Sequence, residues 1–175
     1  VSDTFNIAML LVAAYTLFLM MYQISVEGYL KDIGSDKVNL LRTLGTTLNP
    51  PQTKKILSVS GPARLYAWTL TIPKLLILLF TISLTNGHIF AALLVMASIL
   101  VIISLGEMLL KTGPFDNAAS VRLMSLIEVS SYLALVFALQ GILGWVLALI
   151  FTLFPILWFI CLNYLTWNTF LRPRV

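Results

Sequence analysis

Five stretches of the chain, about residues 5–24, 65–85, 88–110, 121–140 and 141–164, are written almost entirely in aliphatic and aromatic residues. Each is close to the 20 residues an α-helix needs to cross a hydrocarbon core of about 30 Å. In lipid only helices and closed barrels satisfy their own backbone hydrogen bonds, and these runs lack the alternation of barrel strands. The predicted fold is therefore all-α: one polytopic membrane domain over residues 1–175 with about five transmembrane helices. Composition agrees, with 10% charged residues where a soluble domain carries about 25%, and a mean hydropathy of +0.97. The last two runs are separated only by Gln140-Gly141, enough for a tight helical hairpin. The first lacks a basic leader and a small-residue cleavage site, so it reads as a retained helix.

Charge placement predicts the orientation. Threading five spans puts loop 25–64, loop 111–120 and the tail 165–175 on one side. That side holds Lys31, Lys37, Arg42, Lys54, Lys55, Arg64, Lys111, Arg122, Arg172 and Arg174, ten of the eleven Lys and Arg residues. The opposite connections, Thr85 to His88 and Gln140-Gly141, carry none. The positive-inside rule makes the basic side cytoplasmic, with the N-terminus outside and the C-terminus inside. The net charge of +4 is then accounted for by topology, with no nucleic-acid partner. Tyr22, Tyr29, Tyr66, Trp68, Trp158, Tyr164 and Trp167 fall at span ends and read as interfacial anchors in the lipid bilayer. In loop 25–64, Leu40, Leu41 and Leu44 share a helical face beside Lys37 and Arg42, as in a short interfacial amphipathic helix that Pro50-Pro51 would end. Cys161 and His88 are each the only residue of their kind, so neither a disulfide framework nor a Cys/His metal set is expected. His88 reads as a helix cap.

Three charges lie where charges are costly: Lys74 in the second expected span, Glu107 near the end of the third, and Glu128 within the fourth. An intramembrane ionisable residue is a functional candidate whose partner should be named. At about 1.5 Å per residue, Lys74 and Glu128 lie roughly 12 Å inside the basic boundary, and Glu107 about 5 Å inside it. Lys74 and Glu128 are thus at matching depth. Ser125, Ser130 and Ser131 flank Glu128, and Pro73 frees a carbonyl one turn before itself. Such a pair could exchange a proton, while snorkelling or capping is the structural alternative for Lys74 and Glu107.

The stretch Gly-Pro-Phe-Asp at 113–116, between Glu107 and the glutamate of "IEVSSYLALVF", resembles the NADH dehydrogenase subunit 1 family. These are the membrane subunits beside the quinone site of respiratory complex I, with relatives in energy-converting nickel–iron hydrogenases and ferredoxin-linked complexes. By this resemblance Glu107 and Glu128 take the places of the family's two glutamates, and Pro114, Phe115 and Asp116 form its loop element. "SGPARLYAWTLTIPKLLILL" is similar to a second family helix, with Arg64 in register. The chain departs from the pattern in lacking the acidic run after Asp116, where Arg122 stands instead, and in lacking the segments that shape a quinone entrance.

The resemblance implies a reduced or split membrane subunit of a prokaryotic plasma-membrane complex. It would bind no cofactor itself and would contact other membrane subunits. Soluble subunits bearing iron–sulfur clusters would dock on its cytoplasmic loops, and a quinone site is disfavoured. Proton or sodium movement would run past Glu107, Glu128 and Lys74. The competing readings are a non-catalytic scaffold subunit and a small secondary transporter, the latter weakened by the lack of an internal repeat.

Overall fold

The computed structural model describes residues 2–33, 39–49 and 55–167. Lys37, Pro50-Pro51, Lys54, Arg172 and Arg174 lie outside these residues, as do the side chains of Trp158, Tyr164 and Trp167. The chain is mostly helical. Helix α1 (Ser2–Tyr22) runs on through a π-helical segment (Gln23–Gly28) into a last turn, α2 (Tyr29–Lys31). A single turn, α3 (Leu40–Thr43), and two strands, β1 (Thr47–Asn49) and β2 (Ile56–Ser58), lead into α4 (Gly61–Leu84). Then follow α5 (Ile89–Leu109), strand β3 (Gly113–Pro114), α6 (Asn117–Ala138) and α7 (Gln140–Trp167).

Among the described residues, four helical stretches are long and apolar enough to cross a membrane: Asn6–Lys31, Gly61–Leu84, Ile89–Leu109 and Asn117–Ala138. The expected fifth span, 141–164, falls within α7 (Gln140–Trp167), in which Gly144 leaves helical geometry at φ 72°. The first expected span, 5–24, extends to Lys31, because Val26, Leu30 and Ile33 continue the buried stripe of Tyr15 and Tyr22. Tyr22 is thus a core residue and not an interfacial anchor.

Helix α1 packs on α4, and α5 packs mainly on α6. The helix starts are capped as their sequences require. Ser60 Oγ accepts from Ala63 N–H, and Asp116 Oδ1 accepts from Ala118 N–H at 3.0 Å. His88 Nδ1 accepts from Phe90 N–H at 3.3 Å, the capping role expected of it. Each cap satisfies an amide that the first helical turn leaves open. Outward faces are strongly apolar, with Leu10, Leu65, Ile89 and Val146 all about two-thirds or more exposed. Surface of that kind needs lipid or another protein against it.

The loops fold together in a way the sequence did not indicate. Strands β1, β2 and β3 form a small antiparallel sheet that pairs Leu57 with Gly113 and Ile56 with Pro114. Phe115 N–H donates to Lys55 C=O at 2.8 Å, and Val59 N–H to Thr112 Oγ1 at 3.1 Å. The two basic loops are therefore joined at one end of the helices. The expected amphipathic helix reduces to the four-residue α3, with Leu41 in the core. At the far end, Thr85 Oγ1 donates to Ala138 C=O at 2.9 Å, and His88 N–H to Gln140 Oε1 at 2.9 Å. These bonds hold the α4–α5 turn against the α6–α7 turn.

Candidate functional site

Lys74 is completely buried. It follows Pro73 inside α4, which stays helical through both residues. Its ammonium donates to Ser131 Oγ on α6 at 3.2 Å and lies 5.1 Å from the centre of the Tyr22 ring on α1. Ser131 C=O in turn accepts from Tyr15 O–H at 2.7 Å. Three helices thus converge on one cation, which has a hydroxyl and an aromatic face as its neighbours. A desolvated ammonium gains more from an aromatic face than an exposed one does.

The carboxylate nearest in role to Lys74 is Glu27, which did not figure among the expected site residues. It is 4% exposed, and its Oε1 has no hydrogen-bond partner. It interacts electrostatically with both Lys74 and Glu128. Its position follows from the π-helical segment. The π turn buries both Val26 and Glu27, and π segments recur at functional sites.

Glu128 does not belong to the buried face of α6. The buried face of α6 is Met124, Ile127, Ser131 and Ala134, and Glu128 stands beside that face on the exposed side. Its Oε1 accepts from Gln23 Nε2 at 3.0 Å. Gln23, Glu27, Lys31, Ser125 and Glu128 line an open cleft of about 210 Å³ between the π segment and α6. The expected Lys74–Glu128 relationship therefore runs through Glu27, and Lys74 bonds Ser131 directly.

Glu107 is in the last turn of α5. It is exposed, and its Oε1 accepts from Trp68 Nε1 at 3.0 Å. Trp68, Thr71, Lys74 and Gly106 border a cavity of about 10 Å³, the space one water's centre occupies. Carboxyls thus approach Lys74 from two directions: Glu128 and Glu27 from the cleft, and Glu107 by way of Trp68 and the small cavity. The remaining predicted residues have local roles. Arg64 joins Glu107 and Lys111 along a groove, Pro114 is in β3, Phe115 packs on the core, and Asp116 caps α6. Arg122 is exposed on α6.

Among the described residues no group of three or more His, Cys, Asp or Glu could hold a metal ion. The chain matches no protein-family model, no curated protein and no solved structure.

Proposed function

We propose that the chain is an integral membrane subunit that carries protons part-way across the bilayer, within a complex I-like, redox-driven pump. What supports this reading is the completely buried Lys74, flanked by Ser131, Tyr22 and the buried Glu27. A lone charge in such a place costs several kcal/mol unless compensated. Here the compensation is a second ionisable group whose oxygen is left unpartnered. Two carboxylates and one ammonium carry a formal charge of −1, so a single added proton makes the trio neutral. Hopping between Glu128, Glu27 and Lys74 needs only side-chain rotation and water from the cleft.

Lys74 is ten residues beyond Arg64, about 15 Å along α4 and half the thickness of a hydrocarbon core. Past it the buried face of α4 is Leu75, Leu78 and Thr81, the last bonded to its own helix at Ile77 C=O. The polar row stops at mid-membrane, so a proton must pass to a neighbouring subunit to go further. This favours a subunit of a larger assembly over a self-sufficient transporter. The joined basic loops would face the cytoplasm, putting the N-terminus outside, and would be where iron–sulfur subunits dock. Complex I-like membership rests on the resemblance of Glu107, Pro114–Asp116 and Glu128 to the subunit 1 family. The plasma membrane of a prokaryote is the setting that goes with it.

The test uses the intact complex purified through this chain and reconstituted in vesicles. Glu27→Gln should lower the rate of electron-coupled proton uptake by about a hundredfold or more, the scale of losing one proton-transfer group, while Arg122→Gln should leave it unchanged. Iron–sulfur subunits should co-purify. An unaltered rate in Glu27→Gln would overturn the relay, and purification with no redox subunit would overturn the assignment to a redox pump.

A further inference from the structure

On the side of α4 away from the cleft, a groove of about 490 Å³ is lined by Arg64, Glu107, Met108, Lys111 and Thr112. Two of these residues are cations and one is an anion, and the anion is engaged, since Glu107 Oε1 accepts from Trp68 Nε1. Thr112 Oγ1 is occupied by Val59 N–H. Arg64 differs: its Nε is buried with no hydrogen-bond partner. The Arg64 guanidinium thus has a donor that no protein acceptor takes, and the residue borders the groove. Lys111 is exposed beside it, and Lys55 is brought to the same end by its carbonyl bond to Phe115 N–H.

Chemistry and position together select the acceptor. Arg64 is in the first turns of α4 and Lys111 follows the last turn of α5, so the groove sits where apolar helices begin and end. Below it the exposed faces of the two helices are apolar: Leu65, Ile72 and Leu76 on α4, and Leu100 and Met108 on α5, each half-exposed or more. A planar guanidinium suits phosphate oxygens, and an ammonium beside it adds a second positive charge. Basic pockets between membrane helices on the basic side are fitted to anionic headgroups. We infer that this groove is a binding site for one anionic phospholipid, its phosphate held by the positive charges of Arg64 and Lys111 and its acyl chains along the apolar faces of α4 and α5. The inference does not depend on the proton-relay reading, since neither Lys74 nor Glu27 takes part.

The test is lipid retention. The complete chain is reconstituted in nanodiscs of phosphatidylcholine with one-fifth phosphatidylglycerol, extracted in mild detergent, and its bound lipid identified by native mass spectrometry. One phosphatidylglycerol should remain per chain, with no such enrichment of phosphatidylcholine. Each of Arg64→Gln and Lys111→Gln should weaken retention about fivefold, and the pair roughly thirtyfold, from about 1 kcal/mol per interfacial cation. Arg122→Gln, which removes a cation from the same end but outside the groove, should have no effect. Lys111 is exposed, so its variant reports even where Arg64→Gln fails to fold. Equal loss in Arg122→Gln, or full retention in Lys111→Gln, would overturn the site. Displacement of the lipid by millimolar inorganic phosphate would show that the groove reads a phosphate and not a phospholipid, and would overturn it as well.

Discussion

Lys74 on α4 and Ser131 on α6 meet through a 3.2 Å hydrogen bond at a point where neither residue reaches solvent. The serine is held from its other side, because its carbonyl accepts the Tyr15 hydroxyl. This contact ties α1, α4 and α6 together through polar groups, where lipid-facing apolar packing alone offers little preference for one arrangement.

Removing the cation should therefore be costly unless the anion goes too. Lys74→Met deprives Glu27 of its counter-charge and Ser131 of its donor, and breaking a buried pair on one side costs about 3–5 kcal/mol. Adding Glu27→Gln to the same chain should return at least about 1 kcal/mol, as expected for residues in one network. Denaturant unfolding in detergent, followed by far-ultraviolet circular dichroism, measures both. Strictly additive losses would mean that Lys74 and Glu27 do not interact.

Much of the frame could be read from the chain, and the centre of the site only in part. The expected spans fall in helices because run length alone decides them, and Lys74 stands out as a charge inside an apolar run. Glu27 did not. It follows the expected end of the first span, and only the π segment and the packing of Val26 and Leu30 draw it inside. The side of α6 on which Glu128 lies is hidden for the converse reason. Helix α6 is apolar on most sides, so its sequence does not mark which side faces α4. The face bearing Ile127 and Ser131 does, and Glu128 is left beside it. The sheet was illegible because strands of two or three residues are too short to show alternation.

Glycines at two places should respond oppositely to a methyl group. At Gly106 an added Cβ meets no atom within 4 Å, and the residue borders the small cavity next to Lys74. Gly106→Ala should stabilise α5 by about 0.5–1 kcal/mol. It should also fill the space a water would use, cutting any proton transfer that enters from the Glu107 side. At Gly141 the same Cβ would strike the Thr85 carbonyl, a backbone atom that cannot step aside. Gly141→Ala should cost about 1–3 kcal/mol and loosen the α4–α5 turn from the α6–α7 turn. Thermal unfolding distinguishes the two signs, and a stabilised Gly141→Ala would contradict the close approach.

The pairing of the two basic loops predicts a specific cross-link. Phe115 N–H donates to Lys55 C=O, which makes 55 and 115 the hydrogen-bonded pair and leaves Ile56 and Pro114 as the adjacent non-hydrogen-bonded one. In antiparallel sheets such pairs bring Cα atoms to about 4.5 Å, within the range a disulfide spans. With Cys161→Ser removing the native thiol, Ile56→Cys with Pro114→Cys should oxidise readily, and trypsin should then leave the two halves joined on a non-reducing gel. Thr47→Cys with Pro114→Cys is the register control. Residue 47 is in β1, two strands from β3 in the order β1-β2-β3 and two residues out of line with Pro114, so its Cα is roughly 12 Å from residue 114 and too far to bridge. Both double variants carry the same thiols at the same end of the protein. Cross-linking of 47 to 114 in preference to 56 would therefore refute the strand order, and with it the joining of the two loops into one surface.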